Sequence, residues 1–156
     1  MANSIHDVES NKGARQGMVS IGTYSIALNV SGPDRLAEQP VVLIMHGLGG
    51  TMSEWPAARR CISSFTRVLD YDRSGLRLSE EGSDQPTALT AVRELSTILE
   101  AIKIAPPYII VAYSWGAILS LEFMNSRLQD IFGIVFADGT APHFGRSCPC
   151  SPRCLR

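Results

Sequence analysis

Apolar positions along the chain follow two rhythms. Unbroken apolar runs stand at Val41–Met45, Tyr108–Tyr113 and Ile131–Ala137. Each is too short for a stable helix, which reads as a strand buried on both faces. Thr66 to Asp72 reads as a further strand that ends in polar residues. Ahead of these, Met18 to Val30 alternates apolar with small or polar residues around Gly22-Thr23, as a hairpin or bent strand does. Three segments have helical spacing instead. Leu89, Val92, Leu95, Ile98, Leu99 and Ile102 recur every three or four residues behind Thr87, a candidate N-cap, and Pro106-Pro107 stops the run. Ser53 to Phe65 and Trp115 to Gln129 carry weaker helical stripes, and Glu80 to Gln85 is a charged loop.

Strands that alternate with helices predict an α/β fold, a mostly parallel sheet with helices on both faces. Three regions are expected: a flexible N-terminal arm over 1–16, one α/β domain over 17–142, and an irregular Cys- and Pro-rich tail over 143–156. A length of 156 residues suits a single domain. With 45% hydrophobic and 19% charged residues a packed core is expected and wholesale disorder is excluded. A net charge of −1 gives no electrostatic case for nucleic acid or an anionic membrane. No apolar run approaches the roughly 20 residues of a membrane span. The first ten residues lack the apolar stretch of a secretory signal, so a cytoplasmic location is expected. Cys148, Cys150 and Cys154 crowd the tail at spacings unlike zinc-ligand pairs, so neither a metal site nor a disulfide framework is expected there.

In an open parallel sheet, chemistry collects where strands end and helices begin. Two junctions stand out. His46-Gly47-Leu48-Gly49-Gly50 follows the Val41 strand, and Ala112-Tyr113-Ser114-Trp115-Gly116 lies between the Tyr108 strand and a helix. The second approximates the G-x-S-x-G nucleophile elbow, with Ala112 in place of the first glycine. Such a turn lifts the serine hydroxyl above the C-terminal edge of the sheet. Small residues two before and two after let strand and helix nearly touch. Ser114 is therefore the candidate nucleophile. The tetrahedral oxyanion formed by its attack needs two backbone N–H donors. Trp115, the next residue, supplies one, and the glycine-rich loop supplies the other through Leu48. Losing such a donor costs about 2.7–4 kcal/mol of barrier.

On these residues the chain resembles the α/β-hydrolase superfamily. The matching pieces are His46-Gly47 with its trailing glycines, Tyr71-Asp72-Arg73-Ser74-Gly75 after the next strand, and the Ser114 elbow, in that order. Arg77 stands where that loop often has a second glycine. The resemblance implies a serine hydrolase of an ester, amide or related carbonyl bond in a small-molecule substrate, without cofactor. It also implies an eight-stranded sheet and a nucleophile, acid, histidine order. This chain reaches only the sixth strand, so an incomplete fold is expected, truncated before the usual acid and histidine. Asp138 and His143 are the residues left to replace them.

Other readings remain open at this point. A truncated, non-catalytic relative with a binding or decoy role fits too, and its last strand would form an exposed sheet edge that invites self-association. A dinucleotide-binding module is the third. Gly47, Gly49 and Gly50 partly match its fingerprint and Asp70 or Asp72 lies at about the right distance, but Met52 occupies the third glycine position. Ser114 could simply cap its helix. His46 is expected to be structural, and Asp72 and Arg73 are expected to brace their loop as a pair.

Overall fold

The computed structural model describes residues 11–137. It holds six strands and three helices. They are β1 (Arg15–Ser20), β2 (Ser25–Ser31), β3 (Val41–Met45), α1 (Pro56–Ser63), β4 (Arg67–Tyr71), α2 (Ala88–Ala101), β5 (Tyr108–Tyr113), α3 (Trp115–Arg127) and β6 (Ile131–Ala137). One sheet orders the strands β1-β2-β4-β3-β5-β6. The β1–β2 hairpin and the β2–β4 pair are antiparallel, while β4, β3, β5 and β6 run parallel. The α/β class and the mostly parallel sheet are as the alternation predicts. β1 begins at Arg15, inside the stretch expected to be an arm. The tail over 143–156, with Asp138, His143 and its cysteines, lies outside the described residues.

Each boundary has a local cause. Thr87 caps α2: its side chain accepts from the Thr90 N–H, and Thr90 returns a bond to the Thr87 backbone. Pro56 opens α1, where its missing N–H costs nothing. The larger core lies on one face of the sheet. There Ile26, Leu28, Leu43, Leu69, Tyr108 and Ile110 meet Leu95, Ile98 and Leu99 of α2 and Leu119 and Phe123 of α3. The other face holds a smaller cluster of Val42, Ile44 and Val68, with Ile62 of α1 against it. Helices thus stand on both faces.

The apolar runs of β5 and β6 predict strands buried on both sides, and here the structure differs. In β5 the residues alternate between buried and half-buried. In β6, Phe132 is 73% and Val135 54% exposed. Val135 pairs with Val111, whose side chain belongs to the smaller cluster. α1 packs over β4, which is about 14 Å from β6 across β3 and β5 at the usual strand spacing. β6 also ends the sheet among the described residues. Leu89, counted on the apolar stripe of α2, is likewise exposed. A run of apolar residues reports the strand but not which of its faces finds a helix.

At Gly116 the start of α3 lies directly against the end of β3. A methyl group on Gly116 would overlap the carbonyl oxygen of Met45 and press on the carbonyl of His46. Helix start and strand end therefore meet backbone to backbone. Ala112, in the other small position of the junction, is fully buried, so its methyl fits the core. Gly116→Ala is expected to force β3 and α3 apart and destabilise the chain by about 1–3 kcal/mol, the range for overpacking a filled core. Urea unfolding measured beside wild type checks it.

Candidate active site

β3, β4 and β5 all end at the same edge of the sheet, and three loops leave them there. The β5 strand turns straight into α3 at Ser114, which has φ 51 and ψ −121. Such a conformation costs a non-glycine residue about 1–3 kcal/mol. It persists because Gly116 is locked against Met45 on one side while β5 pairs with β3 and β6 on the other. Ser114 is half-buried, and its side chain makes no capping bond to the helix it precedes. The reading of Ser114 as an ordinary cap therefore fails. Its carbonyl accepts the Ala117 N–H at 3.0 Å, which starts the helix.

The loop after β3 comes close to this turn. A methyl on Gly47 would stand 2.9 Å from the Tyr113 ring and 3.3 Å from the Ser114 Cβ, so only glycine lets the loop approach. Leu48 follows with its side chain 81% exposed. The loop closes on itself through a bond from the Gly50 N–H to the Gly47 carbonyl at 3.0 Å, with Gly49 at φ 71. The ring of Trp55, just before α1, packs on Tyr113 at 5.3 Å. Leu48 and Trp115 both line a pocket of about 550 Å³ between the β1–β2 hairpin, the loop after β4 and α2.

The acidic residues at the end of β4 are committed to holding these loops. Asp70 is fully buried, bonds His46 Nε2 at 2.7 Å and accepts from Arg59 at 3.4 Å. His46, 2% exposed, is thereby turned into the protein. Asp72 accepts the Met52 N–H through Oδ1 at 2.7 Å, and its Oδ2 faces Arg77 at 3.7 Å. Neither aspartate is presented to a ligand as a dinucleotide ribose requires. Asp72 and Arg73 both brace loops, but they do not do so as a bonded pair. Arg73 donates instead to the carbonyls of His46 and Gly47 and lies over the Trp115 ring. Its burial pulls the guanidinium pKa down, against the pull of Tyr71, Glu94, Glu54 and Asp72 in the other direction. Arg77 sits at φ 52, a left-handed conformation that favours glycine.

Comparison with known sequences decides the family. The sequence profile described as the alpha/beta hydrolase family matches residues 41–153. The chain belongs to the alpha/beta hydrolase family. An AB hydrolase superfamily protein of Gibberella zeae is 35% identical over 135 residues, covering 80% of this chain and 42% of that protein. A Hormonema carpetanum protein named a probable transporter, efuK, is 34% identical over 143 residues, which is 86% of this chain and 20% of its own length. The chain thus spans less than half the length of these two relatives. Among solved structures, the alpha/beta hydrolase enzyme MGS-M2 from a Medee basin deep-sea metagenome library superposes with a TM-score of 0.69 at 23% identity, covering 77% of this chain and 43% of that one.

In this alpha/beta hydrolase the pocket contains a buried carboxyl that pattern reading passed over. Glu94 of α2 is 7% exposed; it accepts from the Tyr24 hydroxyl at 3.0 Å and from the Ser74 N–H at 3.2 Å. A signal existed, since Glu94 falls on the stripe of Ala91, Leu95 and Ile98, where an acid is out of place. Burial raises its pKa, opposed by the Ser74 and Tyr24 bonds and by Arg73. Burial and then the Glu94 charge push Tyr24 up to about 12. A raised acid holds its proton in the native chain where the unfolded chain has released it, so its contribution to stability falls as pH rises through that window. The stability of wild type relative to Glu94→Gln is therefore expected to decline as pH rises from about 4.3, the unfolded glutamate value, toward neutrality. Urea unfolding of both chains across that range checks it.

Proposed function

We propose that the chain is a serine hydrolase acting on an ester, amide or related carbonyl bond. The observation that carries this reading is the strained backbone of Ser114 at the strand–helix junction, with a hydroxyl not used to cap the helix. Strain of that kind marks functional turns. Family membership supports hydrolytic chemistry in general.

Ser114 Oγ attacks the carbonyl carbon of the substrate while its proton passes to a base. The carbonyl oxygen becomes an oxyanion and is held by the Leu48 and Trp115 N–H groups. The bond to the leaving alcohol or amine then breaks, the leaving group takes the proton, and an acyl-serine remains. Water repeats the sequence and releases the acid. The start of α3 adds the positive end of its dipole to the same spot. His46, the one histidine among the described residues, is bonded to Asp70 and is not the base. His143 and Asp138 are the candidates for base and acid. The 550 Å³ pocket beside Leu48 and Trp115 receives part of the substrate.

A fluorophosphonate probe tests this. Incubation with the folded chain is expected to give a single covalent adduct that mass spectrometry places on Ser114. Ser114→Ala is expected to carry no adduct and to lose hydrolysis of a p-nitrophenyl ester by on the order of a millionfold, as nucleophile removal does elsewhere. A folded wild-type chain that stays unlabelled overturns the reading.

A further inference from the structure

Arg73 touches both halves of the candidate oxyanion site. It is 8% exposed. Nη1 donates to the His46 carbonyl at 2.9 Å and Nη2 to the Gly47 carbonyl at 2.5 Å. The guanidinium lies 5.0 Å from the centre of the Trp115 ring. The Gly47 carbonyl receives a second bond, from the Gly50 N–H. In a trans peptide the C=O and the following N–H point in opposite directions. A Gly47 carbonyl held toward Arg73 and Gly50 therefore turns the Leu48 N–H away from them. Without those donors the Gly47–Leu48 peptide, flanked by glycine, is free to rotate and remove its N–H from the site.

We propose that Arg73 is a positioning residue: it fixes the direction of the Leu48 N–H through the Gly47 carbonyl and holds Trp115 beside it. This rests on the oxyanion reading of Leu48 and Trp115. The side chain suits the task. A planar guanidinium spans two carbonyls with its fork and stacks on an indole in the same pose, which an ammonium cannot do. An apolar side chain of the same length would fill the space without the desolvation of a buried cation, but would take this donor from the His46 carbonyl and leave the Gly47 carbonyl with the Gly50 bond alone.

The test compares wild type with Arg73→Lys and Arg73→Gln, all as the full chain. Two readouts are taken: the rate of fluorophosphonate labelling at Ser114, and the backbone amide resonances of Leu48 and Trp115 in isotope-labelled protein. Both variants are expected to keep the wild-type circular dichroism. The maximal labelling rate is expected to fall by about tenfold or more, less than the roughly 100- to 1,000-fold of losing a donor outright, with the half-saturating probe concentration little changed. Retaining the charge in Arg73→Lys is expected not to restore the rate, and the Leu48 amide is expected to shift in both variants. A folded Arg73→Gln that labels at the wild-type rate overturns the proposal; if that variant does not fold, Arg73→Lys makes the same comparison. A wild-type chain that is never labelled removes the hydrolase reading instead. The resonances then decide the role of Arg73 alone, and unchanged Leu48 and Trp115 amides in Arg73→Lys overturn it.

Discussion

The site depends on one steric constraint, the contact of Gly116 with the carbonyl end of β3. It brings the start of α3 onto the sheet with no side chain between. Strand and helix axes are then fixed before the residue that joins them, and that residue has to take a positive φ to close the gap. The strain on Ser114, about 1–3 kcal/mol, is a notable fraction of the 5–15 kcal/mol by which domains are usually stable. It is borne by the packing of α3 through Leu119 and Phe123 and by the pairing of β5 on both sides. The same crossing carries β3 into the His46–Gly50 loop beside Ser114, so the elbow and its facing loop are positioned together.

Around this crossing the chain buries ionisable groups as well as apolar ones. Asp70, Asp72, Arg73 and Glu94 are all below 9% exposed, and each has a named partner. Buried charges are poor stabilisers, because desolvation cancels much of the attraction. Their effect here is geometric. Asp72 holds the loop at Met52, Asp70 holds the ring of His46, and Arg73 holds two successive carbonyls, so a glycine-rich loop with little intrinsic preference is pinned along its length.

Nearly every element of the described fold was legible, because each has a one-dimensional cause. Val41–Met45 and Tyr108–Tyr113 are apolar runs bounded by breakers, and Thr87 begins α2 through a side chain visible in the sequence. The Ser114 turn was legible from the small residues on either side of it. What sequence did not reveal depends on three-dimensional partners. The exposure of Val135 follows from which strand α1 covers. That Asp72 and Arg73 hold different points of the loop after β3, and not each other, follows from the parallel register of β3 and β4, which sets their ends side by side. Glu94 broke the apolar stripe of α2 in plain view, but its partners Tyr24 and Ser74 come from distant segments.

In the proposed mechanism the strained Ser114 faces two amide hydrogens, those of Leu48 and Trp115. A crystal structure of the chain after reaction with a phosphonate measures this directly. The phosphonyl oxygen is expected within about 2.7–3.1 Å of both the Leu48 and Trp115 nitrogens, the reach of an oxyanion donor. An adduct whose oxygen points into solvent, or onto other groups, contradicts it.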